Sequence, residues 1–575
     1  MTLTKREALA LAAICAGGAA LRITGLQYGL PAVYNPDEVA IMTRALSFAK
    51  GTLNPGNFLY PSFYFYVLFG WVGAYLGCLL LTGRVESVAA AQRLYFTAPT
   101  GIYTAGRALG AAAGTATIAV LHRVAARLTD RRTAMVAALF LAVAPLHVRD
   151  SHYVKHDVPA TLAIVVAYLA ITRLWPASER IRTRDTALAG AACGVAFSTH
   201  YYCIFLAIPL AFAVFMGRRP DGAAVVGRQL AVAALSSALV FFTLSPFILL
   251  EPAAAWRDIV GNRQIVVDRA VASGAFAPAV RYAEILWTDS AGQPIVVLAI
   301  AGALWMLVAS PARAFLLLAF PVPFLFFIAN TAPASRYLNP VLPFIAVFAA
   351  WCISSLVARF HAPGWVSWIL VAASTVAPLA ASVRTGWFFR QDDTRTMAQR
   401  YIDAHIRPGT TVAIQPHSVM LLPTRENLRE ALNRSAGGEH GASVRLSLQL
   451  SLDPYPAPAY RLIYIGTGGL DADKIYVEYE ELGGPAGLQP LRSLGVAFVV
   501  LKRYNEPDPA TLPFLDALAQ NGRRIAVFSP YRPGTTAAEQ ARVDPFLHNT
   551  DIRIDALLER PGPVLEIWEL NDSGS

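Results

Sequence analysis

The chain has 575 residues, of which 55% are hydrophobic and only 15% are charged, and its mean hydropathy is +0.45. Because an ordinary soluble protein carries about 25% charged residues, this composition excludes a wholly soluble protein and predicts a polytopic helical membrane protein with a polar part attached. The formal net charge of +10 is explained by basic loops between apolar segments, so nucleic acid is not expected as a partner. All five cysteines lie in apolar segments, which leaves no disulfide framework in the polar C-terminal third.

The first apolar segment, about residues 8–24, follows Lys5 and Arg6. Basic residues favour the cytoplasmic side, and no small-residue cleavage site closes the run, so we predict a retained span with a cytoplasmic N-terminus. The segment after this span then lies outside. We place the first outer loop at about residues 25–105, with the apolar stretch 62–82 embedded in it. Arginine-dense turns are assigned to the inner side at 122–132, 179–185 and 217–228.

The first outer loop carries an adjacent acid pair, Asp37 and Glu38. Asn35 followed by Pro36 predicts the start of a helix, with Asn35 as its N-cap. Apolar residues then recur at helical spacing, so this helix has a face that could lie on a membrane. Two carboxylates at the boundary of water and lipid suit chemistry on a substrate that is half lipid. The alternative is that they only cap a helix and complement its dipole.

Further spans are predicted from the apolar runs between and after the basic turns. The run 186–217 must cross the membrane twice, yet as a helix it would be only about 48 Å long. We therefore predict two short helices with a non-helical break near residues 198–202, where His200 faces a watery cavity. The sum is eleven crossings, with thirteen as the alternative. The remaining predicted spans are 106–121, 133–147, 158–175, 229–247, 294–309, 314–329, 338–357 and 365–383.

From about residue 390 the composition becomes that of a soluble protein. An amphipathic helix is predicted over 392–406, and helices over 425–433 and 511–520 separate short β-like runs. This order predicts a small α/β domain. We therefore divide the chain into a transmembrane domain, residues 1–389, and an outer α/β domain, residues 390–575. The β-like runs are 411–415, 462–466, 497–501, 524–528 and 564–570.

The predicted topology brings ionisable residues of distant segments to one outer face. Such residues are costly near a membrane and are functional candidates, although each also fits a capping or anchoring role. His152 and His156, four residues apart, could bind a divalent metal ion together with Asp157. Basic residues near the bilayer suit a lipid-linked phosphate, and a carboxylate suits a general base. The candidates are Asp37, Glu38, Arg149, Asp150, His152, Lys155, His156, Asp157, His200, Arg336 and Tyr337.

Four segments resemble the GT-C glycosyltransferases, and among them the bacterial relatives of the protein O-mannosyltransferases and aminoarabinose transferases. The resemblance covers roughly residues 1–390. It implies a multi-pass enzyme of the bacterial inner membrane, with the C-terminal domain in the periplasm and a polyprenyl-phosphate sugar as donor. The four segments are Asn35–Glu38, Tyr60–Pro61, Ser151–Pro159 and Ser335–Pro343.

The resemblance also implies roles for single residues. Asp37 matches the catalytic base and Glu38 its supporting neighbour, while Asp157 matches the second acidic position. Lys155 and Arg336 fall where relatives place basic residues near the donor phosphate. Relatives often have lysine at the position of His200, which is therefore a departure. The expected donor-binding set is Lys155, Asp157, His152, His200, Arg336, Tyr337 and Tyr60.

We expect an inverting transfer of a sugar to a hydroxyl of a lipid, glycan or protein acceptor. Two other classes of protein stay open at this point. The first is a transporter or flippase of lipid-linked sugars, which usually has inverted repeats and a site near the bilayer midplane. The second is a non-catalytic subunit of envelope assembly, which would tolerate alanine at both Asp37 and Glu38.

Overall fold

The computed structural model has two parts, a helical bundle and a C-terminal domain built on one sheet. The basic turns predicted at 179–185 and 217–228 lie partly outside the residues that it describes. The described residues are 3–175, 182–217, 222–272, 274, 276–434, 444–466, 473–482, 487–503, 508–547 and 554–571.

Nineteen helices build the described part of the bundle, and apolar sequence explains most of them. They are α1 Lys5–Ile23, α2 Pro36–Ser47, α3 Phe63–Leu81, α4 Val88–Thr97, α5 Thr100–Leu128, α6 Arg131–Ala142, α7 Pro145–Asp150, α8 Asp157–Ile171, α9 Thr183–Thr199, α10 Ala207–Met216, α11 Ala223–Leu244, α12 Phe247–Leu250, α13 Pro252–Ala272, α14 Ala277–Ile285, α15 Gln293–Ala309, α16 Pro311–Leu318, α17 Pro321–Ile328, α18 Leu342–Arg359 and α19 Gly364–Phe388.

Seven helical segments of the described residues are long and apolar enough to cross a membrane, or up to eight if one bent pair counts as a span. The chain is thus a polytopic helical membrane protein. The predicted eleven or thirteen crossings would also need shorter or more polar helices, so that count stays a prediction. The stretch expected as an embedded part of the first outer loop forms α3, which is itself long and apolar enough to cross.

The predicted break in the run 186–217 is confirmed. Helix α9 ends at Thr199, and His200 has an extended backbone with φ −156° and ψ 137°. The chain resumes as a 3-10 helix over Tyr201–Leu206 before α10 begins. The segment 250–292, which lies between the predicted spans 229–247 and 294–309, is largely helical over α13, α14 and a π-helix at Leu286–Ser290.

Small residues on α5 allow the segment after α7 to lie directly against this helix. A Cβ on Gly110 would lie 3.0 Å from the carbonyl oxygen of Tyr153 and 3.2 Å from that of Ser151. A Cβ on Gly114 would collide with the Ser151 hydroxyl. Larger residues would therefore push away the segment that carries Lys155.

The C-terminal domain contains a six-stranded sheet in the order β3-β2-β1-β4-β6-β5. Strand β6 is antiparallel to both of its neighbours, β4 and β5, and the other neighbouring pairs are parallel. Buried apolar residues cover both of its faces. The five predicted β-runs are confirmed, and β3, only two residues long, was not predicted. The elements are α20 Thr394–His405, β1 Thr411–Ile414, α21 Arg425–Arg434, α22 Val444–Leu450, β2 Arg461–Ile465, β3 Tyr476–Val477, α23 Tyr479–Leu482, α24 Gln489–Ser493, β4 Phe498–Arg503, α25 Leu512–Asn521, β5 Gly522–Phe528, α26 Ala537–Gln540 and β6 Val564–Leu570.

Candidate active site

Asp37 and Lys155 form the centre of the site, although 118 positions separate them in the chain. The Asn35 side chain caps α2 by accepting a hydrogen bond from the Asp37 amide, which fixes Asp37 in the first turn. Its Oδ2 lies 2.7 Å from Lys155 Nζ and 3.9 Å from Arg336 Nη1. The Asp37 side chain is 44% exposed, whereas that of Lys155 is 4% exposed. The carboxylate therefore lies at the mouth of the site with its two cations behind it.

Burial also affects the ionisation of Lys155, which lies in the segment between α7 and α8. Removal from water lowers the pKa of its ammonium group, and the nearby Arg336 lowers that pKa further. The Asp37 carboxylate acts in the opposite direction because it stabilises the charged form. The charge of Lys155 thus depends on the anions that face it.

Glu38 points away from the mouth because adjacent helical residues are about 100° apart. It is fully buried and forms a bidentate ion pair with Arg107 of α5, at 2.9 Å from Nε to Oε1 and 2.7 Å from Nη2 to Oε2. Its Oε1 also accepts the amide of Val154 at 2.9 Å. Glu38 therefore ties the start of α2 to α5 and to the residue before Lys155.

Arg336 is held by a second buried network. It lies in the 3-10 helix Ser335–Val341. Arg149 of α7 donates to the Ser335 hydroxyl at 2.7 Å and pairs with Asp150. Asp150 in turn accepts the amide of Asn339 at 2.6 Å. These bonds fix the 3-10 helix against α7 and leave the Arg336 side chain 16% exposed beside Asp37.

Asp157 is the first residue of α8 and is nearly buried. Its Oδ1 has no hydrogen-bond partner among the described residues. Lys155 and Arg336 lie close enough to act on its charge. The structure thus brings together two carboxylates and two cations that the sequence had assigned to one site.

Aromatic and imidazole rings form one side of the site. The Tyr60 ring stacks on His156 with centroids 4.2 Å apart and meets His200 edge to face at 5.2 Å. His200 in turn stacks on Tyr202 at 3.7 Å. The Arg336 guanidinium lies 5.0 Å from the Tyr337 ring centroid. Arg336 is thus close enough to Tyr60, His200 and Tyr337 to interact with all three side chains.

His152 lies apart from this arrangement. The side chain is fully buried, and its two ring nitrogens lie 2.9 Å from the carbonyl oxygens of Val148 and Thr24. It therefore joins α7 to the segment that follows α1, and its role in donor binding stays a prediction. Among the described residues, which include His152, His156 and Asp157, no three His, Cys, Asp or Glu side chains are grouped to hold a metal ion.

Arg107 is the important residue that the sequence interpretation missed. It is buried within α5 and completes the ion pair with Glu38. Its Nη1 also donates to the carbonyl oxygens of Leu26 and Tyr28, at 2.9 Å and 2.6 Å. An arginine inside the apolar part of a membrane helix is costly in free energy, and this signal could have identified it.

The bundle and this site together define a polytopic membrane protein with a charged, partly open site supported by buried ion pairs. Residues 100–249 match the family model of the dolichyl-phosphate-mannose-protein mannosyltransferases. The match confirms the resemblance to the GT-C membrane glycosyltransferases predicted from the sequence. No protein of curated function matches the chain by sequence.

Three solved structures are similar to the chain at low sequence identity. The apo oligosaccharyltransferase of Archaeoglobus fulgidus is 12% identical with a TM-score of 0.49, over 98% of this chain and 88% of that one. ArnT from Cupriavidus metallidurans, bound to undecaprenyl phosphate, is 14% identical with a TM-score of 0.49, over 92% of this chain and 97% of that one. The Pmt1-Pmt2 protein O-mannosyltransferase complex of S. cerevisiae, bound to the sugar donor, is 16% identical with a TM-score of 0.35, over 44% of this chain and 35% of that one.

Proposed function

We propose that this protein is a membrane glycosyltransferase that moves a sugar from a polyprenyl-phosphate donor to an acceptor hydroxyl with inversion. The observation that carries the proposal is the half-exposed Asp37 carboxylate against the buried cation Lys155 and the nearby Arg336. A base at the mouth and cations behind it match the two charges that such a transfer must manage. The site would lie at the outer leaflet of a bacterial inner membrane, with the C-terminal domain in the periplasm.

The proposed step needs only groups of this chain. Asp37 accepts the proton of the acceptor hydroxyl while its oxygen bonds to the anomeric carbon. The bond from that carbon to the phosphate oxygen breaks, and the polyprenyl phosphate leaves with the bonding electrons. Lys155 and Arg336 stabilise the charge that develops on the leaving phosphate.

The other two carboxylates are less suited to the role of base. Glu38 is neutralised by Arg107 and is fully buried. Asp157 is nearly buried, so an acceptor from solution does not reach it. Asp37 is the one of the three with substantial exposure. Asp157 is assigned instead to holding Lys155 and Arg336 on the donor side.

The arrangement also predicts an order of binding. Without a donor, both cations face Asp37, and such neighbours make a carboxylate a weaker base. A donor phosphate competes for the same cations and leaves Asp37 free to accept a proton. Donor binding would therefore precede productive binding of the acceptor.

The test uses the full-length protein in lipid nanodiscs with a panel of polyprenyl-phosphate hexoses and pentoses. We expect release of free polyprenyl phosphate with at least one donor, and its loss in Asp37→Asn. Asp392→Asn is a matched control, since Asp392 forms an exposed ion pair with Arg400 on α20. A protein that cleaves no donor, yet moves a lipid-linked sugar across proteoliposomes, would be a transporter and would refute the proposal.

A further inference from the structure

The first turn of α20 is one place where the C-terminal domain contacts the active-site segments. Arg395 is nearly buried there and forms a bidentate ion pair with Asp393, at 2.8 Å and 2.7 Å. Its guanidinium carbon lies 3.8 Å from the centroid of the Tyr34 ring. The hydroxyl of Tyr34 lies 2.8 Å from Thr396 Oγ1. Two neighbouring residues of α20 thus hold one tyrosine of the first outer loop.

Tyr34 directly precedes Asn35, the N-cap of α2. The position of Tyr34 therefore constrains where α2 begins and where Asp37, in its first turn, lies. The same guanidinium lies 3.5 Å from the hydroxyl of Tyr28, whose backbone carbonyl accepts a hydrogen bond from Arg107. The C-terminal domain therefore contacts the first outer loop at Tyr28 and Tyr34, both of which precede the start of α2.

The Lys155 side of the pair has a similar connection. Tyr153, two residues before Lys155, packs in a cluster with Tyr28 and Phe389, at centroid distances of 6.3 Å and 6.1 Å. Phe546 of the C-terminal domain lies in the same cluster, 6.3 Å from Tyr28 and 5.6 Å from Phe389. Both halves of the Asp37–Lys155 pair are thus attached to side chains that the C-terminal domain covers.

A buried ion pair adds little to the stability of a fold, because the cost of desolvation offsets most of the attraction between the charges. The two parallel hydrogen bonds between Arg395 and Asp393 do, however, fix the orientation of the guanidinium group. We propose that Arg395 is a positioning residue, through which the C-terminal domain sets the geometry of the Asp37–Lys155 pair. The inference rests on the proposed function and gives the outer domain a part in the active site.

The test compares variants of the full-length protein in nanodiscs. Asp393→Asn combined with Arg395→Met keeps an N-cap residue and the side-chain length, and it leaves no buried charge without a partner. Tyr34→Phe removes only the hydroxyl contact. Arg400→Met is the matched control on the same helix, since its ion pair with Asp392 is largely exposed.

We expect the double variant to lower kcat by about 10- to 100-fold, as small misplacements of reacting groups do, with KM for the donor and the melting temperature little changed. Tyr34→Phe should have a smaller effect and Arg400→Met none. Hydrogen–deuterium exchange at residues 33–38 should rise in the double variant alone. An unchanged kcat with unchanged exchange would overturn the inference, as would a lower melting temperature with an unchanged kcat. A wild-type protein inactive on every donor would instead count against the proposed function, and the exchange result would still decide the positioning role.

Discussion

Glu38 and Arg107 form a buried bidentate ion pair directly behind the Asp37–Lys155 pair. The two acids of α2 are neighbours in sequence, yet each faces a different cation. One acid is closed off by α5, and the other stays open at the mouth. We therefore expect variants of Glu38 to affect mainly stability and variants of Asp37 to affect mainly activity.

The first prediction concerns the stability of the closed pair. Glu38→Gln leaves Arg107 buried without a counter-charge, and we expect unfolding to become easier by about 3–5 kcal/mol. The double variant Glu38→Leu with Arg107→Met should regain most of this loss because no charge stays buried. Thermal unfolding of the purified protein, followed by intrinsic fluorescence, measures both. Glu284→Gln, at a half-exposed pair with Arg281, is the control, and equal melting curves for all variants would contradict the prediction.

The second prediction separates chemistry from binding at Asp37. Asp37→Asn removes the proton acceptor, so transfer should fall by about 10²- to 10⁴-fold. Donor binding should persist or tighten, because Lys155 and Arg336 no longer share their charge with a carboxylate. Single-turnover transfer and equilibrium binding of a polyprenyl-phosphate sugar measure the two effects. Near wild-type transfer by the asparagine variant would exclude Asp37 as the base.

The third prediction is a pH dependence of the leaving-group site. Burial and Arg336 lower the pKa of Lys155, so its positive charge is lost at a lower pH than for an exposed lysine. Transfer should therefore decline on the alkaline side as Lys155 deprotonates. Lys155→Arg keeps a charge throughout this range and should move the decline to higher pH, and Lys155→Met should be poorly active at every pH. Identical alkaline profiles for the wild type and Lys155→Arg would show that another group titrates.

The fourth prediction concerns His156, which stacks on Tyr60. Both ring nitrogens are buried and have no hydrogen-bond partner among the described residues. His156→Phe keeps a ring for the stack and should preserve activity and stability. His156→Ala leaves a cavity and should cost about 3 kcal/mol, with weaker donor binding as Tyr60 moves. Melting curves and donor KM values are the measurements, and an inactive but stable His156→Phe would show that an imidazole nitrogen is required.

Local patterns were enough for much of the architecture. The helix start at Asn35 and Pro36 depends on residues within one turn, and the structure has it as predicted. The apolar runs, the break at His200 and five of the six strands also follow from short-range periodicity. Among the site residues, sequence reasoning named Asp37, Lys155 and Arg336. In the structure the charged groups of Lys155 and Arg336 lie 2.7 Å and 3.9 Å from the Asp37 carboxylate.

Only the tertiary structure showed which of those residues are buried in ion pairs and which are exposed at the site. The sequence by itself determined that a membrane bundle carries an acid pair and basic residues at one end. It did not show which acid would be closed off, because Arg107 comes from a helix 69 positions away. The sequence also did not show that His152 and His156 have different surroundings. His152 contacts two backbone carbonyls, whereas His156 stacks on Tyr60. The contact of Tyr34 with Thr396 joins residues 362 positions apart, and only packing of the whole chain brings such groups together.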